Sequence, residues 1–158
     1  MRTELEVEHG GVPLFSGVIL YAEEGDEYVF EITLRLIPAN NQRIIYVPKH
    51  LPLKIKIASE TGVIDECKDV LVKHKERYVC KHELKVKHNW FVSSAIISVG
   101  FIYDGSDPVL IEEYSFKKLI GELWRRVKAR KYVMLAPAST IIRLIDRKVV
   151  KGGGENEQ

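Results

Sequence analysis

The hydrophobic patterning predicts an α+β fold: an antiparallel β-meander of about six or seven strands, followed by C-terminal helices packed on one of its faces. Three observations support this. Apolar residues alternate with polar ones at period two through residues 29–36, 53–57 and 77–87. Residues 115–131 place Phe116, Leu119, Ile120, Leu123 and Val127 three and four apart, the spacing of one helix face. The helical signals come after the strands, which segregates helices from sheet. A β-sandwich or half-open barrel with a C-terminal helix is the alternative arrangement.

In chain order, 14–22 is strand-like and "EEGDE" makes a turn at Gly25. Phe30, Ile32, Leu34 and Leu36 then face one way, and Val29, Glu31, Thr33 and Arg35 the other, so 14–37 is expected to be a hairpin. "RIIYVP" is a short strand, and "LKIKIA" turns Leu53, Ile55 and Ile57 inward. In 62–74, Ile64, Cys67 and Leu71 suit a short helix, although Val70–Val72 also allows a strand. Tyr78, Cys80, His82, Leu84 and Val86 share a core face, opposite Arg77, Lys81, Glu83, Lys85 and Lys87. A turn at His88-Asn89 would fold "NWFVSSAIISVGFIYD" back on that strand, pairing Lys87 with Trp90, Cys80 with Ile97 and Tyr78 with Val99. Ser115 is the expected N-cap of the 115–131 helix. After Pro137, Ala138, Ile141, Ile142, Ile145 and Val149 fit a last helix, with a strand permitted by their β-branching. Residues 1–151 are expected to form one domain, and 152–158, "GGENEQ" with a preceding Gly, a disordered tail.

Of the 158 residues, 46% are hydrophobic and 29% charged, a globular composition, and no apolar run is long enough to cross a membrane as a helix. The start "MRTELEVEHG" lacks the apolar core of a signal peptide, so a cytoplasmic location is expected. Isoleucine, valine, lysine and glutamate abound while glutamine stands only at Gln42 and Gln158, a bias seen in thermophilic proteins. The net charge of +2 conceals an asymmetry. Residues 1–31 hold eight acids and one base, whereas residues 73–151 hold seventeen bases and eight acids. A basic half of this kind attracts polyanions.

Glu83-Leu84-Lys85 resembles the second half of the motif of PD-(D/E)xK nucleases, in which paired carboxylates hold Mg²⁺ and a lysine orients the attacking water. That resemblance implies Asp65 or Asp69 as the partner acid, but the preceding Pro-Asp pair is absent. Cys67, Cys80, His82 and His88 lack the close ligand pairs on tight turns that zinc requires, so no metal and no cofactor is expected. A Cys67–Cys80 disulfide would need 62–74 to pack beside 77–87. No nucleophile elbow and no phosphate-cradling glycine loop is present.

The remaining signal is a basic surface. Arg77, Lys81, Lys85 and Lys87 on one strand, with Trp90 at its end, and Arg125, Arg126, Lys128 and Arg130 on the basic helix form the expected contact set. Cations that release phosphate counterions, beside a ring that can stack on an unpaired base, point to single-stranded DNA or RNA as the partner. Trp124 flanks the apolar stripe and reads as core. The alternative is an interaction or oligomerisation module without nucleic acid, its acidic N-terminal face meeting a basic face of another copy. A Mg²⁺-dependent nuclease using Glu83 and Lys85 is a further alternative.

Overall fold

In the computed structural model, which describes residues 1–87, 90, 94–101, 107–118 and 124–147, the secondary-structure elements are all strands. They are β1 (Arg2–His9), β2 (Val12–Leu14), β3 (Val18–Ala22), β4 (Glu27–Ile37), β5 (Gln42–Tyr46), β6 (His50–Ser59), β7 (Gly62–His74), β8 (Arg77–Lys85), β9 (Ser94–Phe101), β10 (Val109–Lys118), β11 (Trp124–Val133) and β12 (Ala138–Asp146). Nine of them form one sheet in the order β2-β1-β4-β8-β7-β6-β9-β12-β3, and three form a second in the order β11-β10-β5. β3 pairs with β12 in parallel, and the other described pairings are antiparallel.

The nine-stranded sheet curls into a nearly closed, barrel-like wall. Its two end strands, β2 and β3, are joined by residues 15–17 alone, so the chain itself brings the edges together. Polar contacts fasten this seam. Gly17 N–H donates to the Ile141 carbonyl at 2.7 Å, and Ile141 N–H donates to Ser16 Oγ at 3.3 Å. Thr3 Oγ1 donates to the Ala136 carbonyl at 2.9 Å. Gly17 takes φ +90, a conformation that costs glycine little and a side chain much. β2 and β3 do not pair with each other, so the wall closes through these contacts and not through a continuous ladder.

Alternation gives the wall an apolar inside. Phe30, Ile32, Leu34 and Leu36 of β4, Leu53, Ile55 and Ile57 of β6, and Tyr78, Cys80 and Leu84 of β8 are buried as expected. Val86 is buried too, while Lys81, Lys85 and Lys87 are exposed. Val109 and Ile111 of β10 carry the same core into the second sheet.

The expected helices are corrected, and with them the α+β class and both versions of its C-terminal helix. Residues 62–74 are β7, which pairs with β6 from Gly62 to Val72. Of the 115–131 segment, 115–118 end β10 and 124–131 belong to β11, two strands that pair with each other. Phe116 stands opposite Arg126 and Val127 opposite Ser115. Phe116 and Val127 of the expected stripe therefore fall on opposite faces of a ribbon, and Ser115 caps nothing. Leu119, Ile120 and Leu123 lie outside the described residues, as does the 152–158 tail. The last segment is β12, which pairs with β9 and β3, so β-branching outweighed its helical spacing.

Two expected hairpins are also replaced. β3 leaves β4 for β12, and β4 pairs with β1 and β8. β8 pairs with β4 and β7, while β9 pairs with β6 and β12, so Cys80 and Tyr78 do not meet Ile97 and Val99. β4, β8 and β9 kept their inward faces; β7 beside β8 is adjacent in the chain, whereas β12 beside β3 and β6 beside β9 are distant.

Candidate nucleic-acid interface

The second sheet is the part of the molecule where charge and aromatic surface coincide. At its base, Val109 and Ile111 are buried, with Ile44, Val47 and Val133 packed partly against the core. Beyond Glu113 the β10–β11 ribbon is exposed on both faces. Ser115, Phe116 and Lys117 of β10 and Trp124, Arg125, Arg126 and Lys128 of β11 are all exposed. β11 is an edge strand of ten residues, "WRRVKARKYV", with five bases and no acid. Charges of this kind keep a long open edge from pairing with its own copy.

Register decides which side chains share a face. Phe116 lies opposite Arg126, Tyr114 opposite Lys128, Glu112 opposite Arg130, and Leu110 opposite Tyr132. From the other side, Arg43 of β5 stands opposite Glu112 and Tyr46 opposite Leu110. One face therefore alternates rings and cations along and across three strands. Phe116 is 70% exposed, Trp124 66% and Tyr132 68%. The Arg126 guanidinium stacks on the Tyr114 ring, 4.1 Å from its centroid. Such a cation–π pair holds both groups flat against the sheet.

Glu112 organises the cations. Its carboxylate meets Arg43 Nη2 at 2.8 Å, Lys128 Nζ at 3.0 Å and Arg130 Nε at 3.7 Å. The Tyr114 hydroxyl donates to it at 3.3 Å. No part of the Glu112 side chain is accessible to solvent. Lys128, and then Arg43 and Tyr114, hold its carboxyl below the usual glutamate range against the opposing effect of burial. The three cations keep 66%, 54% and 64% of their side-chain surface exposed. Next to them, Glu113 accepts from Gln42 at 2.8 Å and pairs with Lys131 at 3.0 Å on the reverse face.

The contact set expected from sequence is thus divided. Arg126, Lys128 and Arg130 come together on the aromatic face. Arg125 points the other way, opposite Lys117. Arg77, Lys81 and Lys85 lie on the outer wall of β8, far from the ribbon in pairing order, and Lys87 follows them. Lys81 faces Glu31, 3.8 Å away, and Lys85 stands opposite Glu27. Lys87 pairs with Asp65 at 2.8 Å. Trp90, expected as an exposed stacking ring, is 1% exposed and belongs to the core. The groove of about 620 Å³ beside β8 mixes Glu6, Glu8 and Glu31 with Arg35, Arg77 and Lys81, so it carries no single sign of charge.

No family model matches this chain, and no curated protein or solved structure is significantly similar to it. The interface is therefore read from its own chemistry.

Sequence reasoning missed Arg43, Tyr46, Tyr114, Phe116 and Tyr132 as surface groups and took Trp124 for core. The signal was present in "RRVKARKYV", where Arg126, Lys128, Arg130 and Tyr132 fall at period two.

The other candidate chemistries do not assemble. Glu83 and Lys85 share the outer face of β8, but Asp69 points to His82 and Asp65 is held by Lys87, so neither acid joins Glu83. Among the described residues no three His, Cys, Asp or Glu side chains are placed to hold a metal ion. Cys67 and Cys80 are free thiols, and His88 lies outside the described residues. Burial, with a hydrogen bond to Asp69, pushes the Cys80 thiol up to about 12, so it is protonated and unreactive at neutral pH.

Proposed function

We propose that this protein binds single-stranded DNA or RNA on the outward face of the β11-β10-β5 sheet. The observation that carries this reading is the alternation of exposed Phe116, Trp124 and Tyr132 with Arg126, Lys128 and Arg130 on one face of a projecting ribbon. Unpaired bases stack on rings whatever their sequence, and the cations between the rings neutralise the phosphates that connect those bases. An open, flat face suits a flexible strand, because it imposes no groove geometry on the ligand. Association is expected to be non-catalytic.

The supporting experiment is a titration with single-stranded DNA, single-stranded RNA and duplex at about 50 and about 200 mM salt. The two tryptophans make it readable by fluorescence. Trp124 is exposed and should be quenched by a stacked base, whereas Trp90 is buried and should not respond. The expected result is quenching by single strands, with affinity falling steeply as salt rises. Trp124→Ala should weaken binding by about 1–3 kcal/mol. Absence of binding to any of the three at low salt would remove the proposal.

A further inference from the structure

Resting on that reading of the face, we infer that Glu112 is an internal competitor for the ligand's phosphates, and that it sets how tightly the face binds. The cations it gathers come from two strands that flank its own, Arg43 from β5 and Lys128 and Arg130 from β11. A carboxylate reached by cations from both neighbours, and with no solvent contact of its own, occupies the place that a phosphate oxygen would otherwise take. The Glu112 carboxylate is shared among three cations and committed to no single one, so a second anion can draw on the same cations. Arg126 differs. It rests on the Tyr114 ring, and no acid among the described residues pairs with it. The face therefore has two kinds of cation. Among the described residues Arg126 has no acid to give up on meeting a phosphate, only its stacking on Tyr114, whereas Arg43, Lys128 and Arg130 must share or release Glu112 to do so.

The physical consequence is a reduced count of released counterions. Each phosphate that a cation neutralises on a single strand adds about 0.7 to the salt slope. A carboxylate held among the cations cancels about one of those contacts.

The test compares Glu112→Gln, Glu112→Asp, Lys128→Gln and Arg126→Gln in binding to one fluorescein-labelled single-stranded oligonucleotide across a salt series. Glu112→Gln should bind tighter by about five- to tenfold at about 50 mM salt, with a slope steeper by about 0.7. Glu112→Asp keeps the charge and should stay near the parent affinity. A folded Glu112→Gln that binds no tighter than the parent overturns the inference. If Glu112→Gln does not fold, the two cation variants decide the matter, since both lie on the exposed face. Arg126→Gln should then cost more affinity than Lys128→Gln, and the reverse order overturns the inference. Loss of binding in Arg126→Gln alongside an unchanged Glu112→Gln leaves the nucleic-acid reading standing without the competitor. No effect of Arg126→Gln would instead count against the face itself.

Discussion

Asp69 sits where β7 and β8 part, and its carboxylate serves several donors. Its Oδ2 is 2.9 Å from His82 Nδ1, and its Oδ1 accepts from Val70 N–H at 2.8 Å. The Cys80 thiol donates to it as well. An ionised carboxylate only accepts, so the His82 ring carries its proton on Nδ1. Burial works to raise the Asp69 pKa, but the His82 and Val70 hydrogen bonds outweigh it and hold the carboxyl below the usual aspartate range. Removing the carboxylate strands a histidine that is 11% exposed. Asp69→Ala should therefore destabilise the fold by about 1–3 kcal/mol in urea unfolding. The pH dependence follows from the direction of the shift. A lowered folded pKa means that the carboxylate's contribution is complete above the unfolded value of about 3.9 and fades as pH falls through the folded value. The stability gap between the parent and Asp69→Asn should accordingly shrink as pH falls below about 4. A gap that grows on acidification would contradict this account of Asp69.

At the scale of elements, the β7–β8 connection is a two-residue turn, with His74 opposite Arg77. Its first residue, Lys75, has φ 58, a conformation that costs an L-residue roughly 1–2 kcal/mol. Glycine avoids that cost and gives some of the gain back in unfolded-chain entropy. Lys75→Gly should raise stability by about 0.5–1 kcal/mol, measured by the urea midpoint. The β10–β11 ribbon allows a sharper test. Ser115 and Val127 are directly paired, so their Cα atoms are about 4.5–5.5 Å apart, within disulfide reach. The double variant Ser115→Cys, Val127→Cys should form an intramolecular disulfide on oxidation. In a helix the same residues would be about 18 Å apart, and no bridge would form. That ribbon is where sequence reading failed most. β4, β6 and β8 were legible because each has one wet and one buried face, which imprints period two. Past Glu113 the described residues of the ribbon present no buried face. Phe116 and Val127 fall on opposite faces there, so their spacing reflects no packing stripe. β7 was obscured differently. Val70 and Val72 are exposed beside buried Leu71, so an apolar run hid the alternation.

Across the whole molecule, the charge asymmetry was visible in the sequence, but which bases are free was not. That depends on strand neighbours distant in sequence. β4 brings Glu27 and Glu31 beside Lys85 and Lys81, so the acidic N-terminal region compensates β8 and not the ribbon. Lys81 and Lys85 thus have carboxylates beside them on the outer wall. The β11 cations have Glu112 and Glu113 as carboxylate partners at the ribbon's base, while Arg126 further out is paired with a ring. Like charges two apart on one strand face repel, and the repulsion between Arg126, Lys128 and Arg130 is relieved only in part by Glu112. An added polyanion relieves the remainder. Two double variants separate the two basic regions at equal change in net charge. Lys81→Gln with Lys85→Gln removes cations from the wall, and Arg126→Gln with Arg130→Gln removes them from the ribbon. Both variants lose the same net charge, so any attraction set by net charge alone changes equally in the two. Direct phosphate contacts differ. The ribbon pair should lower single-strand affinity and reduce the salt slope by about one to two contacts, near 0.7–1.4. The wall pair should leave that slope within about 0.3 of the parent. Equal loss from both would mean that the strand is held by the general field of the protein, and the ribbon would lose its standing as the interface.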